Sequence, residues 1–429
     1  MIEGARIAAI GKNLQAPPGA ELLDGRHCVV LPGLINSHTH LYQNLLKGLS
    51  PGLALVPWCN QVLFPALDVL RTTMKNHGNR LAYLWTALAA IEMIRGGITS
   101  CVNMDVVSPE ILHAWQKIGF RGVLAYTLAN KWVPPELRAN EESMKQQMLE
   151  FIQAYHRPDG LTTVFVAPST LFLCSDDFLL WAREQADKYD LGMQIHIAET
   201  ASEVEDIVRE TGHTPVEHLR HLGLLNSRLS AVHCVYLGES DIELMSMSGA
   251  LAVHCPKSNM KLADGVAPIV RMRAAGVPVS LGTDGCASND LLDMWEEMRT
   301  AVLLARVSTG RAEAMTPAAA FQMATIDAAR SSRLDAGELQ PGKLADIAVL
   351  ELQGVHMQPF HDRDLLNMLV FCARASDVRD TIINGVAVMR DRRLTQVNEE
   401  DLLQEVEAIQ AELANGYLEK LYFAREIAS

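Results

Sequence analysis

The chain of 429 residues has no C-x-x-C pair among its eight cysteines, most of which sit among apolar neighbours. This excludes a dithiol redox motif or a thiolate metal cluster and reads as reduced core residues. No stretch offers the ~20 uninterrupted apolar residues that a membrane-crossing helix needs. The start, MIEGARIAAIGKN, lacks the basic head, long apolar run and small-residue cleavage site of a secretory signal. A cytoplasmic protein with no membrane partner is the expectation. Basic residues are short too: 37 Lys and Arg stand against 51 Asp and Glu, a net charge of -14. No basic cluster is present to bind nucleic acid, so the expected partner is a small molecule.

What is present is a regular alternation. With 49% hydrophobic residues the chain can bury one large core or two unequal ones. Eight short β-type runs are VVLPGLINSH (29–38), ITSCVNM (98–104), RGVLAYT (121–127), TTVFVAP (162–168), MQIHIAE (193–199), LSAVHCV (229–235), GALAVHC (249–255) and PVSLGTD (278–284). Between them lie stretches of helical spacing, including 82–95, 142–155, 177–189 and 289–306. Such βα units build a parallel sheet, and eight of them close into a barrel. An open doubly wound sheet would need a glycine-rich phosphate loop after its first strand, and none is there. The predicted fold is therefore α/β, a (β/α)8 TIM barrel over 31–337. Residues 1–30 and 338–395 carry short β-runs broken by Gly and Asp turns and read as one small β-sandwich built from both termini. Residues 396–429 read as a charge-laced C-terminal helix.

Catalytic groups of a barrel stand at the C-terminal ends of its strands. His38 and His40 end the first run in N-S-H-T-H, two apart and so on the same side of an extended segment. His196 and Glu199 end the fifth run, His233 the sixth, His254 the seventh and Asp284 the eighth. One histidine at a strand end is commonly structural; this many chemistry-bearing residues on five strand ends point to a site. Neutral imidazoles with a carboxylate suit Zn(II) or Fe(II), and an open coordination position lowers the pKa of bound water toward ~7. The fourth run ends V-A-P-S-T, with Ser169 and Thr170 where a bridging lysine would support two ions. One divalent metal per subunit is expected, Zn ahead of Fe. Glu199, three residues after His196, is the candidate proton shuttle. It could instead cap the next helix, but Thr200 and Ser202 are better caps. Asp284 can ligate and orient, and His233 can stabilise developing charge.

The motifs PGLINSHTHLYQ (32–43), EMIRGGITS (92–100), HIAE (196–199), VHCVY (232–236), HCPKSNMKL (254–262), LGTDGCASND (281–290) and LQPGKLADIAVL (339–350) carry a resemblance across nearly the whole chain. It resembles the amidohydrolase superfamily, in the branch of the cytosine, guanine and adenosylhomocysteine deaminases and the triazine hydrolases. The resemblance implies His38, His40, His196 and Asp284 as metal ligands and Glu199 with His233 as acid/base partners. It also implies a further strand or two before ARIAAIG, so that Met1 begins inside the terminal β-layer. Barrels of this kind often dimerise.

The segments PWCNQVLFP (57–65) and TDGCASNDLLDM (283–294) look like methylthioadenosine and adenosylhomocysteine deaminases. Those enzymes typically place a Glu two residues after the proline that matches Pro65, and a His after the A-P of strand four. Leu67 and Ser169 stand there instead. Losing both partners would cost a nucleoside several kcal/mol, at roughly 1 to 3 kcal/mol per unmade hydrogen bond. Gln43 in HTHLYQ instead matches guanine deaminases and triazine hydrolases, and its amide offers both a donor and an acceptor to a flat ring. The expected activity is hydrolytic deamination, or a related displacement, on a guanine-like base or triazine. The alternatives are a methylthioadenosine/adenosylhomocysteine deaminase and a catalytically silent metal-binding scaffold. Expected substrate contacts are Gln43, Trp58, Leu67, Ser169, His254, Cys286 and Asn289. Trp132 is a further pocket candidate, and Trp85 reads as core.

Overall fold

Gly33 divides the first strand pattern between two sheets. In the computed structural model, which describes residues 1–49, 52–135 and 137–428 without the side chains of 422–428, Cys28–Pro32 belongs to an antiparallel sheet and Leu34–Thr39 to a parallel one. The amide of Gly33 donates to Asp346 O while that of Leu34 donates to Gly97 O. A Cβ at position 33 would lie 2.1 Å from Thr99 Oγ1, so only glycine lets the chain pass.

The parallel sheet runs in chain order: β1 Leu34–Thr39, β2 Ile98–Asp105, β3 Arg121–Leu128, β4 Thr162–Pro168, β5 Met193–Ile197, β6 Leu229–His233, β7 Leu251–His254 and β8 Val279–Leu281. Its two ends meet past β8, where the Asp284 amide donates to His38 O at 3.0 Å. Beside it, Asn36 and Thr283 exchange two bonds of 2.7 and 3.0 Å. Alternation along the strands sorts the side chains. Val102, Met104, Val123, Ala125, Phe165 and Ala167 cluster inside the barrel, as do Val232, Val253 and Cys255. Cys101, Leu124, Val164 and Ala252 join the helices outside.

The helical stretches form Arg80–Arg95, Glu141–Tyr155 and Asp176–Lys188. The stretch expected over 289–306 breaks in two, Cys286–Asn289 and Met294–Thr309. Asp290 takes a left-handed conformation there, and Asp293 caps the second helix by accepting the Trp295 amide at 2.8 Å.

Both termini supply the antiparallel layer: 393–394, 386–390, 378–383, 347–351 and 28–32 lie side by side, and residues 5 and 7 bond to 343 and 345. The 338–395 segment is not wholly β, since Leu365–Cys372 is a helix. A buried pair, Arg121 with Asp346 at 2.6 Å, joins this layer to β3.

The last helix, Glu399–Ala428, turns Leu402, Ile409, Leu413, Tyr417 and Leu421 inward. It packs on helix Phe64–His77, where a Cβ at Gly416 would come within 2.7 Å of Val69. Its exposed charges pair across: Arg80 with Glu405 at 2.8 Å, His77 with Glu412 at 2.6 Å and Lys420 with Asp68 at 2.8 Å. The long helix thus backs a shorter one that walls a cavity at the barrel rim. Among the described residues no helix is long and apolar enough to cross a membrane. All eight cysteines are free thiols.

Candidate active site

Three imidazoles converge at the C-terminal rim of the barrel with their outer nitrogens already used. His38 Nδ1 donates to Gln194 Oε1 at 2.8 Å, and Gln194 is tied to Ser37 O at 2.9 Å. His40 Nδ1 donates to Met104 O at 2.6 Å and His196 Nδ1 to Ser169 O at 2.7 Å. Each bond fixes the tautomer that leaves Nε2 bare. His38 Nε2 and His196 Nε2 stand 3.1 Å apart, and Asp284 Oδ1 lies 3.4 and 3.3 Å from the Nε2 atoms of His38 and His40. Asp284 Oδ2 is occupied, accepting from Ser258 Oγ at 2.5 Å and Ser288 Oγ at 2.9 Å.

Bare lone pairs held this close repel unless a cation stands among them. A tetrahedral ion with bonds of ~2.0–2.1 Å separates its ligands by about 3.4 Å. Two groups that share His38, one with His40 and Asp284 and one with His196 and His233, each hold their donor atoms within 4.8 Å of one another, so the cluster fits a divalent metal. Burial pulls His38 and His196 down, toward the neutral form that ligates. Burial alone would raise Asp284, but the facing His38 and His40 hold its carboxyl well below the usual range. At the end of β4 the Ser169 carbonyl orients His196, and no lysine is present there to bridge a second ion.

Glu199 and His233 stand beside this cluster. Thr200 Oγ1 caps helix Ala201–Thr211, accepting the Glu203 amide at 3.2 Å, and the Glu203 carboxylate accepts the amides of Ala198 and Glu199 at 3.1 and 2.8 Å. Capping therefore falls to Thr200 and Glu203, and the Glu199 side chain is left for the site. Its Oε1 lies 3.5 Å from His233 Nε2, and His233 Nδ1 donates to Asn259 Oδ1 at 2.9 Å. Burial, then the negative charge of Asp264, Asp284 and Glu203, pushes the Glu199 carboxyl well up. Burial foremost pulls His233 down to about 4. Ala198, His233 and Asp284 have φ of 50°, 71° and 61°, left-handed backbone at three strand ends. Such conformations cost about 1–3 kcal/mol each and persist where surrounding bonds over-determine them.

A cavity of about 460 Å³ opens on these groups. Of the expected contacts, Gln43, Trp58, Leu67 and Ser169 line it, as do Trp132 and the otherwise buried Trp85. Gln43 is already engaged: its Oε1 accepts the Ala287 amide at 3.2 Å and its Nε2 donates to Tyr42 Oη at 3.3 Å. It braces the turn at Gly285, where a Cβ would sit 1.9 Å from Gln43 Oε1.

Three expected contacts lie elsewhere. His254 alternates with inward Val253 and Cys255 and so faces the helices, beside Arg271 and Ser308. Cys286 turns its thiol to Asn44 at 3.5 Å. Asn289 donates to Thr283 O and Glu297 Oε1, both at 2.6 Å, holding the loop that carries Asp284. The supporting residues Gln194, Asn259, Ser258 and Ser288 were not anticipated. Gln194 was within reach, since it precedes His196 by two and shares its face.

Fold and site together define a barrel hydrolase. The chain belongs to the amidohydrolase family, whose model matches residues 29–388, and it is a hydrolase of carbon–nitrogen bonds. It is 35% identical over 417 residues to a 5'-deoxyadenosine deaminase of Methanothermobacter thermautotrophicus, covering 96% of this chain and 94% of that one. A 5-methylthioadenosine/S-adenosylhomocysteine deaminase of Pyrococcus furiosus is 34% identical over 403 residues, covering 94% and 93%. Among solved structures, an adenosine deaminase from Xanthomonas campestris with bound zinc superimposes with a TM-score of 0.84 at 31% identity, over 91% of this chain and 87% of that one. A zinc complex of an atrazine chlorohydrolase from Arthrobacter aurescens reaches 0.90 over 96% and 94%, but at 24% identity it shares the fold alone. These relatives favour the adenosine-type alternative over a guanine-like base or triazine.

Proposed function

We propose that the protein is a divalent-metal-dependent hydrolytic deaminase of an adenine-like base carried on a 5'-modified nucleoside. One observation carries the chemistry: three tautomer-fixed imidazoles and Asp284 converge beside the Glu199–His233 pair on a single cavity. The substrate class rests on the adenosine-type relatives.

His38, His40, His196 and Asp284 would hold one ion, zinc ahead of iron. When bound, it supplies the Lewis acidity that brings the pKa of water toward ~7. The rest falls to side chains. Glu199 takes a proton from the attacking water and delivers it to the ring nitrogen beside the amino-bearing carbon. His233, its own proton held by Asn259, presents Nε2 as an acceptor for the second water proton and so aims the oxygen at that carbon. A carbon–oxygen bond forms. Glu199, left as a carboxylate, then takes the remaining proton from the added hydroxyl and passes it to the amino group; the carbon–oxygen bond becomes a carbonyl as the carbon–nitrogen bond breaks and ammonia leaves.

Ammonia release from 5'-deoxyadenosine, methylthioadenosine, guanine and a chlorotriazine tests this reading. The adenine nucleosides should exceed the other two in kcat/KM by more than about tenfold, the scale of one lost polar contact. Preference for guanine or the triazine would contradict it.

A further inference from the structure

Away from the histidines the cavity wall is apolar and aromatic. Helix Phe64–His77 gives it Phe64, Leu67 and Leu70, the segment after β3 gives Trp132, and the segment after β4 gives Phe172. The Trp132 ring stands edge-on to Phe64 at 5.6 Å and to Phe172 at 5.5 Å, both at 70° between planes. Its backbone φ is 47°, a left-handed conformation that bulky side chains rarely adopt, and it is 42% exposed.

A strained, half-open indole clamped between two rings is poorly explained by folding stability. Strain of this kind collects at ligand clamps. The acids that line the cavity among the described residues, Asp105, Glu199 and Asp284, are not on this wall: Asp105 is tied to Asn103, and the other two belong to the histidine cluster. The lining cation, Arg71, has Asp68 at 3.7 Å.

We propose that Trp132 determines specificity for the part of the substrate remote from the reacting carbon, selecting an apolar alkyl, alkylthio or aryl substituent over a hydroxylated or zwitterionic one. The assignment rests on the deaminase reading above. Aromatic rings gain from covering methyl groups and thioether sulfur. A zwitterionic tail loses its hydration against the same wall, where the lining Arg71 already faces Asp68 and, among the described residues, no carboxylate meets the ammonium.

The test uses adenosines that differ only at the 5' position: hydroxyl, hydrogen, methylthio, phenylthio and homocysteinyl. Two readouts are taken on the metal-loaded wild type, Trp132→Ala and Trp132→Phe. One is kcat/KM for ammonia release, and the other is calorimetric Kd for the deaminated 6-oxo counterparts. Both should favour methylthio and phenylthio over hydroxyl and homocysteinyl. Trp132→Ala should lose about tenfold or more on the apolar members and little on the hydroxyl one, with Trp132→Phe keeping most of the preference. An even loss across the series, or tightest binding of the homocysteinyl member, would overturn the assignment. Ranked binding without ammonia from any member would sink the deaminase reading and leave the Trp132 assignment standing.

Discussion

Glu199→Gln is expected to keep its metal and to lose about 10²–10⁴-fold in turnover, the range that a positioned general acid/base contributes. The amide has the shape of the carboxyl, but it neither accepts the water proton nor hands one on. Its neighbours give no reason for the fold to suffer. The backbone at 198 and 199 is held by Glu203, and helix 201–211 is capped by Thr200. The variant also removes a carboxyl that burial disfavours in its charged form, so its melting temperature should hold or rise. Metal analysis, thermal melting and single-turnover kinetics on one preparation check all three statements. Full activity would remove Glu199 from the mechanism, and metal loss would make it a ligand.

Asp284→Asn should behave in the opposite way, losing the metal first and activity with it. One carboxylate oxygen faces His38 and His40, and the other accepts two hydroxyls. An asparagine cannot serve both sides: its NH2 points either at bare imidazoles or at serine hydroxyls that must then turn away. It also removes the negative charge from the donor set. Turnover should fall below detection in dilute metal. Ser258→Ala, which only loosens the support of Oδ2, should weaken metal affinity by about 10–100-fold. Equal affinity in Asp284→Asn and the wild type would exclude Asp284 as a ligand.

Much of this was legible in the sequence, because a barrel writes its strands as evenly spaced β-runs and puts its chemistry where they end. The division at Gly33 was not legible. The run carries no polar side chain from 29 to 35, and what divides it at Gly33 is contact with Thr99 and Asp346, far along the chain. His233 and His254 show the limit at the site. Each follows an inward valine, Val232 or Val253, so simple alternation turns both away from the barrel axis. His254 obeys; His233 is swung back to Glu199 by a left-handed backbone that no local residue pattern announces. The substrate class meets a similar limit. In sequence Gln43 has the form of a ring contact, yet its amide is engaged by Ala287 and Tyr42. The losses at Leu67 and Ser169 argued against a nucleoside, while the adenosine-type relatives favour one.

The single-metal site is tested by titrating metal-stripped protein with Zn(II) and following ammonia release from 5'-deoxyadenosine at each addition. Activity should climb linearly and break at one equivalent per chain, as a single four-ligand site requires. A break at two equivalents, or full activity in the stripped protein, would contradict it.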